Sequence, residues 1–90
     1  PVKLKSAANK TIISPNPFSD YININTQWQN AETATISIFN VQGKLVLSKQ
    51  VSLNKGNNDI RIDHLSNLPS GNYYLQLSSA TQRIIEKIAK

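Results

Sequence analysis

The chain has 90 residues, 39% apolar and 17% charged, with no cysteine and no methionine. That length suits one compact domain with a single modest core. The missing cysteines exclude a disulfide framework, a thiolate metal site and a cysteine nucleophile together. Ten Lys/Arg against five Asp/Glu give a net charge of +5. The cations gather at the two ends, with Lys3, Lys5 and Lys10 in the first ten residues and Arg83, Lys87 and Lys90 in the last eight. A nucleic-acid binder carries a dense basic stripe interleaved with aromatics, so this distribution reads as solvated termini and nucleic acid is not an expected partner. No apolar run approaches the roughly 18 residues of a membrane span, and there is no signal-peptide core. The opening Pro1-Val2-Lys3 suggests a piece of a longer chain.

Residues 1–9 lack alternation and read as a linker to an upstream domain, leaving 10–90 as the folded unit. Thr11-Ile12-Ile13-Ser14 is a short strand. From Asp20 to Thr26, Ile22 and Ile24 share one face while Tyr21, Asn23 and Asn25 share the other. Ala34, Ile36 and Ile38 alternate with Thr33, Thr35 and Ser37, and Leu45 and Leu47 with Val46 and Ser48. Ile60 and Ile62 alternate with Asp59, Arg61 and Asp63, and Tyr73, Leu75 and Leu77 with Tyr74, Gln76 and Ser78. Side chains along a strand point alternately to opposite faces, so each run offers one dry face and one wet one. Arg83–Lys90 is read as a last strand, although Ile84, Ile85 and Ile88 also share a helical face. Gly43, Gly56 and Gly71 each sit in a polar cluster between runs, where a turn is expected. Seven short antiparallel strands with polar turns predict an all-β, immunoglobulin-like sandwich of two sheets with about fifteen inward side chains.

Chemistry is sparse. His64 is the only histidine, in Asp63-His64-Leu65-Ser66. Neighbours on an extended chain point apart, so this is a solvated turn rather than a nucleophilic relay. One histidine without cysteine does not make a zinc site. Asn57-Asn58-Asp59 is the best oxygen cluster for calcium, and it falls short of six to eight ligands. Asp59 and Asp63 share strand parity with Arg61, which predicts an ion cluster on one face. No catalytic residue and no cofactor are assigned. Trp28, Tyr21, Tyr74 and Phe39 are candidates for a sugar-stacking platform, the basis of an alternative reading as a carbohydrate-binding or adhesive module. Trp28 reads better as an amphipathic ring capping the core. Asn9-Lys10-Thr11 matches a glycosylation acceptor, relevant only in a eukaryotic secretory host.

Several short boxes recur in a telling order. Pro15, Asn16, Pro17 and Phe18 follow the first strand; the prolines fix φ and withhold donors, so the chain is expected to leave that strand and change sheet, with Phe18 dropping into the core end. The turn at Gly43 and Lys44 comes next, then that at Gly56, then Leu68-Pro69-Ser70-Gly71-Asn72-Tyr73. Leu68 and Tyr73 flank Gly71 as in a tyrosine corner, whose phenol bonds to backbone across the bend. The chain closes on Lys87, Ile88, Ala89 and Lys90. From about Lys10 to Lys90 this resembles the C-terminal sorting domain of proteins exported by the type IX secretion system, type A family, with a final box softened by Glu86 and Ala89.

The resemblance implies a periplasmic cargo delivered to an outer-membrane translocon and its shuttle protein, then to the cell surface or medium. It also implies a sortase-like cysteine peptidase that removes the domain, with Ser6, Ala7 and Ala8 the expected cleavage region. Lys87, Ile88, Ala89 and Lys90 are the expected recognition element, with Lys90 as the true C-terminus. Deleting Ile88–Lys90 is expected to block export while most of the sandwich stays folded. Unpaired sheet edges also suggest a weak edge-strand dimer.

Overall fold

A computed structural model of the chain describes residues 11–90. Seven strands follow one another: β1 (Thr11–Ser14), β2 (Ile22–Trp28), β3 (Glu32–Asn40), β4 (Leu45–Leu53), β5 (Gly56–Ile62), β6 (Asn72–Ser79) and β7 (Arg83–Ala89). They form a three-stranded sheet, β1-β2-β5, and a four-stranded sheet, β4-β3-β6-β7, with every pairing antiparallel. The fold is the all-β sandwich expected from the alternation. The predicted linker 1–9 and its neighbour Lys10 lie outside the described residues.

The dry faces are those the period of two selects. Ile22, Ile24, Thr26 and Trp28 of β2 are buried, as are Ala34, Ile36 and Ile38 of β3 and Tyr73, Leu75 and Leu77 of β6. Thr26 is the polar member of this set, and its hydroxyl is satisfied by that of Thr11 at 2.8 Å, directly across the β1–β2 pair. A buried hydroxyl left unpaired would be expensive, so the match stabilises this register. No helix is present among the described residues, so none is long and apolar enough to cross a membrane.

Two expectations need correction. Pro15 and Pro17 do not send the chain to the other sheet: β1 and β2 are neighbours in the same one. The segment instead detours along the rim of the four-stranded sheet and returns, with both the Ser14-Pro15 and Asn16-Pro17 peptides cis. Of the Leu45/Leu47 face expected to be dry, Leu47 packs against the core opposite Ile38 but Leu45 does not. A register shift between Ile38 and Phe39 in the β3–β4 pairing breaks the period there. Leu45 is exposed and Leu47 is only partly buried, while Leu53, at the far end of the strand, is the core residue of β4.

Candidate functional site

The sandwich has two ends, and the sequence boxes divide between them unequally. One end collects Phe18, the Asn40–Lys44 turn, the Leu65–Gly71 segment and the last residues of β7. Asn40 pairs with Tyr73 and Tyr73 with Ile88, which brings three distant parts of the chain into one row. The other end holds Trp28, Glu32, Gly56 and the β6–β7 turn, with Trp28 opposite Gly56.

At the first end, the boxes clasp the terminal strand. Asn16 Oδ1 accepts the Ala89 N–H at 2.9 Å, and the Phe18 N–H donates to the Ala89 carbonyl at 2.9 Å. Gly71 and Lys90 exchange both backbone bonds, at 3.0 and 2.8 Å. The Lys90 Nζ donates to the carbonyls of Leu68, at 2.5 Å, and Ser66, at 3.1 Å. An ammonium on two backbone carbonyls is a charge-assisted bond to groups that have no strand partner. Gly71 sits at φ 147°, a conformation that side-chain-bearing residues rarely adopt, and it is this bend that lets both its backbone groups meet Lys90.

Beneath the clasp lies the corner that the sequence predicts. The Tyr73 hydroxyl donates to the Pro69 carbonyl at 2.5 Å. Phe18 is buried against the Tyr73 ring, with centroids 6.0 Å apart and planes tilted by 58°. The rings are tilted rather than stacked face to face, at a separation within the favourable range for an aromatic pair. Leu65, which no alternation marks, is also fully buried, and its N–H reaches the Asp20 carbonyl at 2.8 Å. His64, just before it, takes φ 62° and is exposed. The left-handed turn at His64 aims Leu65 inward.

Gly43 and Lys44 contribute through the backbone. Asn40 Oδ1 accepts the N–H groups of Gln42 and Lys44 at 2.9 and 3.0 Å, and the Gly43 N–H closes on the Asn40 carbonyl at 3.0 Å. Asn40, not singled out from the sequence, therefore organises this turn; an Asn three residues before a Gly was the available signal. The turn lines one side of an open groove whose other side is Pro69–Tyr73. Gly56 lies away from the clasp. Its neighbour Asn58 is buried and spans the β4–β5 turn, accepting the Asn54 N–H at 2.8 Å and donating to the carbonyls of Asn54 and Gly56. Asn58 thus closes the β4–β5 turn with its own side chain. Asp59 takes the Asn25 amide at 2.7 Å, and Arg61 pairs with Asp63 at 2.6 Å, so the predicted ion cluster is one ion pair beside an amide contact.

The candidate sugar platform is dispersed. Trp28 is 3% exposed and caps the core, and Tyr21 has the Arg61 guanidinium 4.0 Å above its ring. Phe39 is half-buried beside the exposed Tyr74 on the outer face of the four-stranded sheet. Among the described residues no three His, Cys, Asp or Glu side chains converge as metal ligands. Ser6, Ala7 and Ala8 lie outside the described residues. Of the recognition quartet, Lys87 is exposed, Ile88 is buried in the core, and Ala89 and Lys90 are half-buried in the clasp.

At the far end Glu32 is a hub. Its Oε2 accepts from the Trp28 indole N–H, from the Thr81 hydroxyl at 2.8 Å and from the Ser79 hydroxyl at 3.0 Å. These donors, the Trp28 and Thr81 bonds foremost, hold the Glu32 carboxyl below its ordinary value of 4.5. A depressed folded-state pKa means stability that is present above 4.5 and lost as pH falls through the folded value. Glu32→Gln is therefore expected to flatten the acid limb of the stability–pH curve below about that pH, read by urea unfolding at pH 7 and at stepped acid values. The site is solvent-accessible, so the effect is a screened one.

The described residues form a small two-sheet sandwich whose terminal strand is clasped at one end by backbone hydrogen bonds. In the family comparison, the model of the secretion system C-terminal sorting domain matches residues 12–90. The chain thus belongs to the C-terminal sorting domains of type IX secretion, targeting modules that are not themselves catalysts. Membership marks a secreted protein, exported to the cell surface or beyond. A comparison with curated proteins gave no match.

Proposed function

We propose that this domain is the address by which a periplasmic cargo is handed to the outer-membrane translocon and its shuttle protein, and that it is afterwards cut away. The observation that carries the reading is the clasp. The Pro-Asn-Pro-Phe box, the Leu-Pro-x-Gly box and the terminal box meet around Ala89 and Lys90. A receptor that reads the folded domain would then meet the end of β7 in one fixed geometry, since bonds from two directions hold it. The sortase-like peptidase would act upstream, with Ser6, Ala7 and Ala8 as the proposed cleavage region. Small residues there suit an extended chain in a protease groove.

The test is export of a periplasmic reporter carrying residues 1–90 at its C-terminus, in a host with the secretion system. The wild-type fusion is expected outside the cell, and Lys90→Met, which keeps the aliphatic stem but removes the bonds to Ser66 and Leu68, is expected to reduce export severalfold. Retention of the wild-type fusion in the periplasm would refute the address. N-terminal sequencing of the released fragment checks the cleavage step: a new terminus within residues 6–9 is expected, and one beyond Ile12 would contradict it.

A further inference from the structure

The outer edge of β7 is closed at one end and open along the rest. In an antiparallel pair, alternate residues aim both N–H and C=O at the neighbour, and those between aim both away. Gly71 and Lys90 exchange both bonds, and the Ser79 N–H reaches the Gln82 carbonyl. With Tyr73 opposite Ile88 and Leu77 opposite Ile84, this phase gives the even-numbered residues of β7 to β6. Arg83, Ile85, Lys87 and Ala89 therefore aim their backbone groups outward, where β7 is the last strand of the sheet. Ala89 is engaged by Asn16 and Phe18. Arg83, Ile85 and Lys87 have no backbone partner on that side among the described residues.

Their side chains share the outer face of the sheet by the same period, and all are exposed, Ile85 at 56%. Cation, apolar residue and cation thus follow at spacings of about 6–7 Å. Their neighbours across β6 are the uncharged Ser78, Gln76 and Tyr74. Glu86 falls on the opposite face by parity. A second copy of this chain is a poor occupant. Antiparallel pairing centred on Ile85 would set Arg83 against Lys87 of the other copy, and parallel in-register pairing would set each cation beside itself. Like charges directly opposite are destabilising, so the same pattern that invites a strand discourages self-association.

We propose that the Arg83–Lys87 edge accepts an extended protein segment as an added strand, with an apolar residue opposite Ile85 and carboxylates two positions to either side. Backbone bonds supply the affinity and the three side chains the register. The sorting reading enters only in placing that segment on the secretion machinery.

The probe is a fluorescein-labelled peptide, Thr-Glu-Thr-Val-Thr-Glu-Thr, titrated with the 90-residue chain at physiological salt and read by anisotropy. Controls carry Lys for Glu, or the same residues scrambled. The acidic alternating peptide is expected to bind at least tenfold tighter than either. Ile85→Pro removes an outward donor that the sheet does not use, the position where an edge tolerates proline, and is expected to weaken binding at least tenfold. The double variant Arg83→Glu/Lys87→Glu is expected to prefer the Lys peptide, which decides the matter should the proline variant fold poorly. Absence of binding, equal binding of the scrambled peptide, or binding of a polyanion or anionic vesicles that matches the peptide and ignores the proline would overturn the proposal. The reporter assay separates the two readings: an unexported wild type sinks the address and leaves the peptide result standing, whereas full export of the Ile85→Pro fusion overturns the edge as the machinery's contact.

Discussion

Removing Ile88–Lys90 should lower the thermal midpoint of the domain by more than about 15 °C. Ile88 is 2% exposed, and losing a buried isoleucine costs about 2–5 kcal/mol. The same cut removes both Gly71–Lys90 backbone bonds, both bonds to Ala89 and the two held by the Lys90 ammonium. Each contributes about 0.5–1.5 kcal/mol net, and each kcal/mol moves the midpoint of a domain this size by roughly 4–8 °C. Domains of this length have only about 5–10 kcal/mol in all. The truncation is therefore expected to populate unfolded chain at growth temperature, measurable by circular dichroism melts of the full and shortened chains. This reverses the expectation that the sandwich would survive the cut largely intact. It also means that an export failure of the truncated chain does not by itself distinguish recognition from folding. Lys90→Met does so once its own melt is measured beside its export, because it leaves Ile88 in the core and removes only the two ammonium bonds. A midpoint within a few degrees of wild type for the truncation would show that the clasp is peripheral to stability.

The strands were legible because most of them obey one rule cleanly. Ile22, Ile24, Ile36, Ile38, Leu75 and Leu77 are buried at every second position, and polar residues stand between them. Legibility failed where the rule is broken by a local event that carries no periodic signature. The register shift at Ile38/Phe39 exchanged faces in the early part of β4, so Leu45 points to solvent. Leu65 is anchored by an isolated left-handed turn at His64 rather than by a strand. The clasp was half visible. Tyr73 and Gly71 announced a corner by their spacing, and Phe18 was expected at the core end. Nothing in the sequence said that Asn16 would reach Ala89, 73 residues away. Such a contact depends on which strand ends up at the sheet's edge, and strand order is a property of the whole topology. Glu32 was hidden for a related reason, since its donors Trp28, Ser79 and Thr81 come from the ends of β2 and β6 and from the β6–β7 turn.

Trp28→Ala is expected to be among the most damaging single substitutions, and its outcome also bears on the glycan-binding alternative. The ring is 3% exposed at the end of β2, and its indole N–H donates to Glu32. Truncating a buried tryptophan costs about 3–5 kcal/mol, which lowers the midpoint by roughly 12 °C or more at ~4–8 °C per kcal/mol. Because Trp28 is the sole tryptophan of the chain, the melt is followed by circular dichroism rather than by fluorescence. Trp28→Phe should restore much of the midpoint, since most of the buried apolar area returns, while still lacking the donor to Glu32. Its stability should accordingly fall less on acidification than that of wild type, because one of the bonds depressing the Glu32 carboxyl is gone. A sugar platform makes the contrary demand. A ring that stacks on a glycan must present a free face to solvent, and its removal abolishes binding with little change in stability. An unchanged midpoint for Trp28→Ala would therefore move the ring out of the core, and with it would go the account of Glu32 as the hub that ties β3 to the β6–β7 turn.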